Sequence, residues 1–334
     1  MKAYSIFQKP ICVFGIADFD KRKTLERLPE EVISKVPSLD FLGRRSPGAR
    51  VGFRTNSESF TVRLRFKTLS PDIGMSIYAC QSANVFIGKT RRESRFCGLV
   101  NVPNYDTPVA ERTFKKGNYM EEVLILLPRN EIIEDVEILI EDDAIIEAAT
   151  PYKYPVPILY YGSSITEGGC CCNPYNAYNA IISRHLDVDY YNFGFSGSCK
   201  GESEMADYFN TLDFSIFVLD YDHNAPTPEH LEATHYPFYK KIREAKPTVP
   251  IIMLSRPRTY LTEDEEKRLN VVKSTYERAL FEGDENVYFF DGTSFFNDED
   301  GELCFVDCCH PNDLGFHKMA KGIEPLIKNL LGRS

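Results

Sequence analysis

From residue 46 the chain alternates apolar and polar positions. In "SPGARVGFRTNSESFTVRLRFKTL", Phe60, Val62, Leu64 and Phe66 share one side. A period of two with one apolar side predicts an antiparallel strand whose other side is wet. The runs "MSIYAC", "ANVFIG", "EEVLILLP" and "DVEILIED" follow, separated by Pro, Gly, Asn and Asp. Short strands at this spacing predict an antiparallel β-sandwich over residues 1–150. Near residue 150 the pattern changes. "ATPYKYPVP" holds three prolines and predicts a stiff linker. Beyond it, apolar strands alternate with amphipathic helices: "PILYYG" then "AYNAIISRHL"; "DYYNFG"; "FSIFVLDYD" then "EHLEATHYPFYKKIREA"; "PIIMLS" then "EDEEKRLNVVKSTYERALFEG"; "NVYFFDG"; and finally "GFHKMAKGIEPLIKNLL". Continuous apolar strands separated by helices predict an α/β domain over residues 151–334, with a parallel sheet covered on both faces.

Composition narrows the function. With 39 Lys and Arg against 49 Asp and Glu, the net charge is -10, which argues against nucleic acid or an anionic membrane as partner. No stretch approaches the ~20 apolar residues of a membrane span, and "MKAYSIFQKPICVFG" lacks a leader-like apolar run, so the chain as given reads as cytoplasmic. Ten cysteines occur as scattered singles, a triplet (Cys170, Cys171, Cys172) and a pair (Cys308, Cys309), a distribution that fits reduced thiols.

In an open parallel sheet, ligands bind beyond the carboxyl ends of the strands. The residues expected there are Gly162, Ser163 and Ser164; Asn192, Phe193 and Gly194; Asp220, Asp222, His223 and Asn224; Ser255 and Arg256; and Asp291, joined by Asp307 and His310 of "DCCHPND". Such a set suits a serine hydrolase. A hydroxyl needs a base for its proton, the base needs a carboxylate to fix its tautomer, and the developing oxyanion needs fixed donors. His310 is the natural base, and Asp307 can turn back to its second ring nitrogen.

These segments resemble the SGNH, or GDSL-type, hydrolase superfamily. "GSSIT" matches the family's Gly-Asp-Ser block and selects Ser164 as nucleophile, with Ser163 where the family usually has Asp. The resemblance implies Gly194 of "NFGFSG" and Asn224 of "DHNA" as oxyanion donors beside the N–H of Ser164, although Asp222 and Ala225 depart from the family's third block. Asp307 and His310 match its Asp-x-x-His block. "RRSPGARVGFRTNSE" and "YYGSSITEGG" further resemble the subgroup with a β-rich domain ahead of the hydrolase. The resemblance implies a three-layer, flavodoxin-like catalytic domain, a jelly-roll-like N-terminal domain, and hydrolysis of a short acyl ester, most simply acetyl, on a sugar or oligosaccharide. It requires no cofactor or metal. Arg256 at the mouth is a candidate grip for an acidic substrate group, against pairing with a structural carboxylate, and a homo-oligomer is open.

Other readings compete. Ser164, Gly194 and Asn224 also suit a helix cap, a tight turn and an Asx-turn. "CFVDCCHP" gathers Cys304, Cys308, Cys309 and His310, but adjacent cysteines do not easily face one tetrahedral ion. "IFVLDYDHNAPT" resembles the first motif of haloacid-dehalogenase phosphatases, which would make Asp220 a nucleophile beside magnesium. A carbohydrate-binding protein with an inactive hydrolase fold is a third reading, weakened by the absence of tryptophan for stacking on sugars.

Overall fold

The computed structural model describes residues 1–333 apart from Pro71 and Tyr105. Among the described residues, two antiparallel sheets build the N-terminal region. One has the strand order Lys2–Ser5, Ile133–Ile140, Ser59–Phe66, Val109–Lys115. The other runs Ile146–Ala148, Arg50–Thr55, Glu121–Leu126, Ser82–Gly88, Arg95–Asn101, with Cys12–Phe14 also paired to Arg50–Thr55. Phe60, Val62 and Leu64 of the first sheet share one buried cluster with Val51, Phe53, Val85 and Ile125 of the second, so the sheets face each other across a common core. On the opposite side of Ser59–Phe66, Arg63 and Arg65 share Glu137 at 3.3 and 2.9 Å. The period-two pattern therefore separates core from solvent as expected.

Two differences from the sequence expectation have local causes. "MSIYAC" does not form a strand. Ile77–Gln81 is a helical turn in which the N–H groups of Ala79 and Cys80 return to the Ser76 carbonyl at 3.0 and 3.1 Å. Its buried positions, Ala79, Cys80 and Gln81, are consecutive, which no half-buried strand allows. The strands Arg95–Asn101 and Val109–Lys115, which the pattern does not predict, lie at sheet edges and are largely exposed. An edge strand carries too few buried positions to show an apolar period.

The second region holds a five-stranded parallel sheet in the order Val188–Gly194, Tyr154–Gly162, Ile216–Asp220, Ile251–Leu254, Val287–Phe290. In chain order this is 2-1-3-4-5, a doubly wound arrangement whose switch point lies at the end of the first strand. Alternate residues of that strand feed opposite cores. Leu159 and Tyr161 pack towards the helices Ser203–Asn210, Pro228–Ala245 and Glu263–Phe281, and Ile158 and Tyr160 towards Tyr178–Leu186 and Asp313–Leu331. "ATPYKYPVP" is only partly a connector, because the first parallel strand already begins at Tyr154, and Tyr152 is buried under the Arg91 guanidinium at 3.8 Å. The two regions also share apolar surface: Leu28, Val32, Ile33, Val36 and Leu39 belong to the same cluster as Phe193, Met205 and Phe209.

Candidate active site

The first parallel strand stops at Gly162, where any Cβ would collide with Thr166 and the Asp220 carbonyl. The short helix Ser164–Glu167 starts immediately, and the two serines divide the tasks at its start. Ser163 is buried and caps the helix, its Oγ accepting the Ile165 N–H at 3.2 Å. This is the structural use of the residue that stands where the resemblance would put Asp. Ser164 points out, with its Oγ 2.8 Å from His310 Nε2. As the first helical residue, its N–H has no intrahelical acceptor.

On the other side of His310, Nδ1 lies 2.8 Å from Asp307 Oδ2. The second carboxylate oxygen, Oδ1, accepts the backbone N–H groups of His310 at 2.7 Å and Cys309 at 3.1 Å. The loop is closed by the Val306 N–H on the His310 carbonyl at 2.9 Å, and the next helix is capped by Asn312. A carboxylate facing Nδ1 requires the proton there, which leaves Nε2 as acceptor for the Ser164 hydroxyl. Partial burial raises the Asp307 pKa, but the bonds from His310 and Cys309 outweigh it and hold the carboxyl below its ordinary value. The Asp307 side chain is 50% exposed and that of His310 22%, so this side of the site is open to water.

The oxyanion side departs from expectation at Gly194. Its N–H is engaged by Asn192 Oδ1 at 2.9 Å, and a Cβ there would run into the backbone of Glu167. Gly194 is a packing glycine, needed so that the strand end and the Ser164 helix can touch. Three residues on, Gly197 has φ +68, open space at its Cβ position, and an N–H without an acceptor among the described residues. Asn224 is fixed by its backbone N–H on the Tyr221 carbonyl at 3.0 Å. Its side-chain oxygen is buried without a hydrogen-bond partner among the described residues.

Arg256 is committed internally. Nη1 lies 2.6 Å from Glu265 Oε1 and Nη2 donates to the Asp222 carbonyl at 3.2 Å, which is the structural pairing rather than a substrate grip. Ser255 accepts the Gly292 N–H at 2.9 Å and Asp291 caps Thr293, so both serve the backbone. Asp220 is wholly buried and accepts the Thr166 hydroxyl at 2.8 Å. Burial and neighbouring Asp222 push its pKa well above the ordinary value, and a carboxylate with no exposed surface is out of reach of a phosphate, which goes against the phosphatase reading. Burial, and then the charges of Arg256 and Arg258, push the pKa of neighbouring His223 well below its ordinary value. Cys304, Cys308 and Cys309 are free thiols, and among the described residues no three His, Cys, Asp or Glu side chains are grouped to hold a metal ion.

Sequence reasoning missed Glu167. It ends the Ser164 helix fully buried, and its Oε2 accepts the Ser196 N–H at 3.1 Å. An acidic residue among small residues in "SITEGG" reads as solvated, and only three-dimensional packing reveals otherwise.

The sequence profile of the GDSL-like lipase/acylhydrolase family matches residues 155–328, and that of the N-terminus of SGNH-hydrolase-type esterases matches residues 6–146. Among solved structures, a Bacteroides ovatus ATCC 8483 protein described as a GDSL-like lipase superposes with TM-score 0.88 at 24% identity, covering 99% of this chain and 98% of that one. The salicylyl-acyltransferase SsfX3 of a tetracycline biosynthetic pathway gives 0.81 at 20% identity, covering 98% and 97%. A family two carbohydrate esterase from Clostridium thermocellum, in complex with cellohexaose, gives 0.62 at 17% identity, covering 86% and 93%. At these identities the likeness is one of fold. No curated protein sequence matches.

Proposed function

The chain belongs to the GDSL-like lipase/acylhydrolase family, and from that premise we propose a serine esterase that works through an acyl-enzyme. The observation that carries the mechanism is the continuous hydrogen-bond chain from Ser164 through His310 to Asp307. Ser164 Oγ attacks the ester carbonyl while His310 Nε2 takes its proton. His310 then returns the proton to the leaving alcohol, and a water activated by the same nitrogen releases the acid. Asp307 holds the Nδ1 tautomer and stabilises the imidazolium. The oxyanion is held by the N–H groups of Ser164 and Gly197 and by the side-chain amide of Asn224, with Gly197 replacing Gly194 because the Gly194 N–H is already engaged.

The substrate class we propose is a short acyl ester, most simply acetyl, on a sugar or oligosaccharide. It rests on the carbohydrate esterase among the structural neighbours. The acyltransferase neighbour raises an alcohol as the acceptor in place of water, but the half-exposed Asp307 side gives water ready access and favours hydrolysis. An inactive binding protein has no need of the ordered Ser164–His310–Asp307 chain.

The test is hydrolysis of p-nitrophenyl esters from acetyl to octanoyl, together with acetate release from acetylated oligosaccharides, by wild type and by Ser164→Ala. Short-chain activity that falls by at least about 10⁴-fold in the variant is expected. Wild-type turnover in Ser164→Ala would exclude the mechanism, and cleavage of long acyl chains without acetate release from any sugar would exclude the substrate class.

A further inference from the structure

We propose that Glu167 is a positioning residue for the oxyanion side, and that the N-terminal region takes part in catalysis by neutralising it through Arg27 and Arg129. The proposal rests on the reading of Ser164 as nucleophile. Glu167 lies three residues after Ser164 on the same short helix, with a side chain at 0% exposure. Its Oε2 accepts both the N–H of Ser196, at 3.1 Å, and the Ser196 hydroxyl. The next residue is Gly197, whose φ is a left-handed +68 and whose N–H has no acceptor among the described residues. Fixing Ser196 therefore fixes the donor beside it, and ties that donor to the helix that carries the nucleophile.

A buried carboxylate is tolerated only with compensating charge. Here that charge comes from across the chain. Arg129 Nη1 is 3.5 Å and Arg27 Nη2 3.9 Å from the carboxylate, too far for good hydrogen bonds, so both act as nearby charges. Arg27 stays charged at neutral pH even though burial lowers its pKa to about 9. Its guanidinium also donates to the carbonyls of Asn192 and Gly194, both at 2.7 Å, and lies 4.5 Å over the Phe195 ring. The segment 192–197 is thus gripped at its carbonyls by an arginine of the N-terminal region and at the Ser196 N–H by Glu167. Ester hydrolysis needs no group at this carboxylate, because Ser164 already has its base in His310. A rigid donor array is what makes an oxyanion site effective.

The experiment uses the full chain and five variants: Glu167→Ala, Glu167→Gln, Ser196→Ala, Arg129→Met and the double variant Glu167→Gln/Arg129→Met. Steady-state hydrolysis of p-nitrophenyl acetate is measured together with inhibition by a small alkylboronic acid, whose Ser164 adduct places an anionic oxygen among the donors. Glu167→Ala is expected to lower kcat ten- to a hundredfold with KM within about twofold, and to weaken boronate inhibition in parallel. Glu167→Gln keeps an acceptor for Ser196 and is expected within about threefold of wild type. Ser196→Ala, which removes one of the two bonds without emptying the buried site, is expected to lower kcat severalfold. Arg129→Met should cost more in the wild type than in Glu167→Gln, where there is no charge left to neutralise. Wild-type kcat in both Ser196→Ala and Glu167→Ala, or equal losses in Glu167→Ala and Glu167→Gln, would overturn the positioning role. Equal effects of Arg129→Met in the two backgrounds would overturn the role of the N-terminal charge. If the wild type hydrolyses no ester, the proposed function falls, and amide hydrogen exchange then decides the clamp separately: faster exchange at Ser196 and Gly197 in Glu167→Ala or Ser196→Ala supports it, and unchanged exchange overturns it.

Discussion

The two sides of Ser164 are built on opposite plans. On the base side, Asp307 and His310 belong to one exposed loop and satisfy each other over three residues, with the backbone N–H groups of the same loop completing the carboxylate. On the oxyanion side the groups come from distant parts of the chain: Glu167, Asn192, Ser196 and Asn224 around the sheet, and Arg27 and Arg129 from the N-terminal region. The base side is local, and the oxyanion side long-range: its supports Glu167 and Asn192 are buried, Ser196 and Asn224 partly so, and Gly197 is exposed. A proton-transfer pair can be completed within one loop, whereas donors that must hold an anion without reorganising need a fixed frame, here anchored on buried Glu167 and Asn192.

The difference can be tested by damaging each side in turn. Asp307→Asn should lower kcat by roughly 10²–10⁴-fold, because the amide favours the wrong tautomer of His310, while thermal stability barely moves. A large fall in melting temperature would show that the base side is less self-contained than its geometry indicates. Asn224→Ala should cost less, about 10²-fold in kcat or ~3 kcal/mol, with KM nearly unchanged. Loss through KM alone would remove Asn224 from the oxyanion donors.

Acid should also distinguish the two sides. His235, stacked on Tyr221 at a ring distance of 5.6 Å, is buried with no partner for Nδ1 among the described residues, and burial lowers its pKa to about 3. The unfolded chain binds a proton near pH 6.5 that the folded one refuses, so the stability gained from a neutral His235 is complete above pH 6.5 and is lost as pH falls towards 3. Between pH 7 and 5 this amounts to about 2 kcal/mol for one histidine. Asp307 has the same sign in a lower window. Its folded pKa lies below the ordinary carboxylate value, so its contribution persists above that value and is lost only as pH falls through the folded one. His235→Phe should therefore lose less stability than wild type between pH 7 and 5 in urea titrations. Identical losses would mean that the acid sensitivity arises elsewhere.

What the sequence by itself determined follows from range. The period-two strands, the alternation of apolar strands with helices and the Asp-x-x-His loop depend on neighbours within a few residues, so Phe60 to Phe66, the parallel strands and the pairing of Asp307 with His310 could be read directly. Edge strands such as Val109–Lys115 escaped because they bury too little to carry a period. Only the tertiary structure decided that Gly194 packs while the Gly197 N–H has no acceptor among the described residues, that Arg256 is held by Glu265 and Asp222, and that Glu167 is buried between two arginines. Each of these turns on which group reaches a given atom first from a remote segment. A residue's type fixes what it can bond to, but burial and the partners that folding brings within about 3 Å fix whether that capacity is already used.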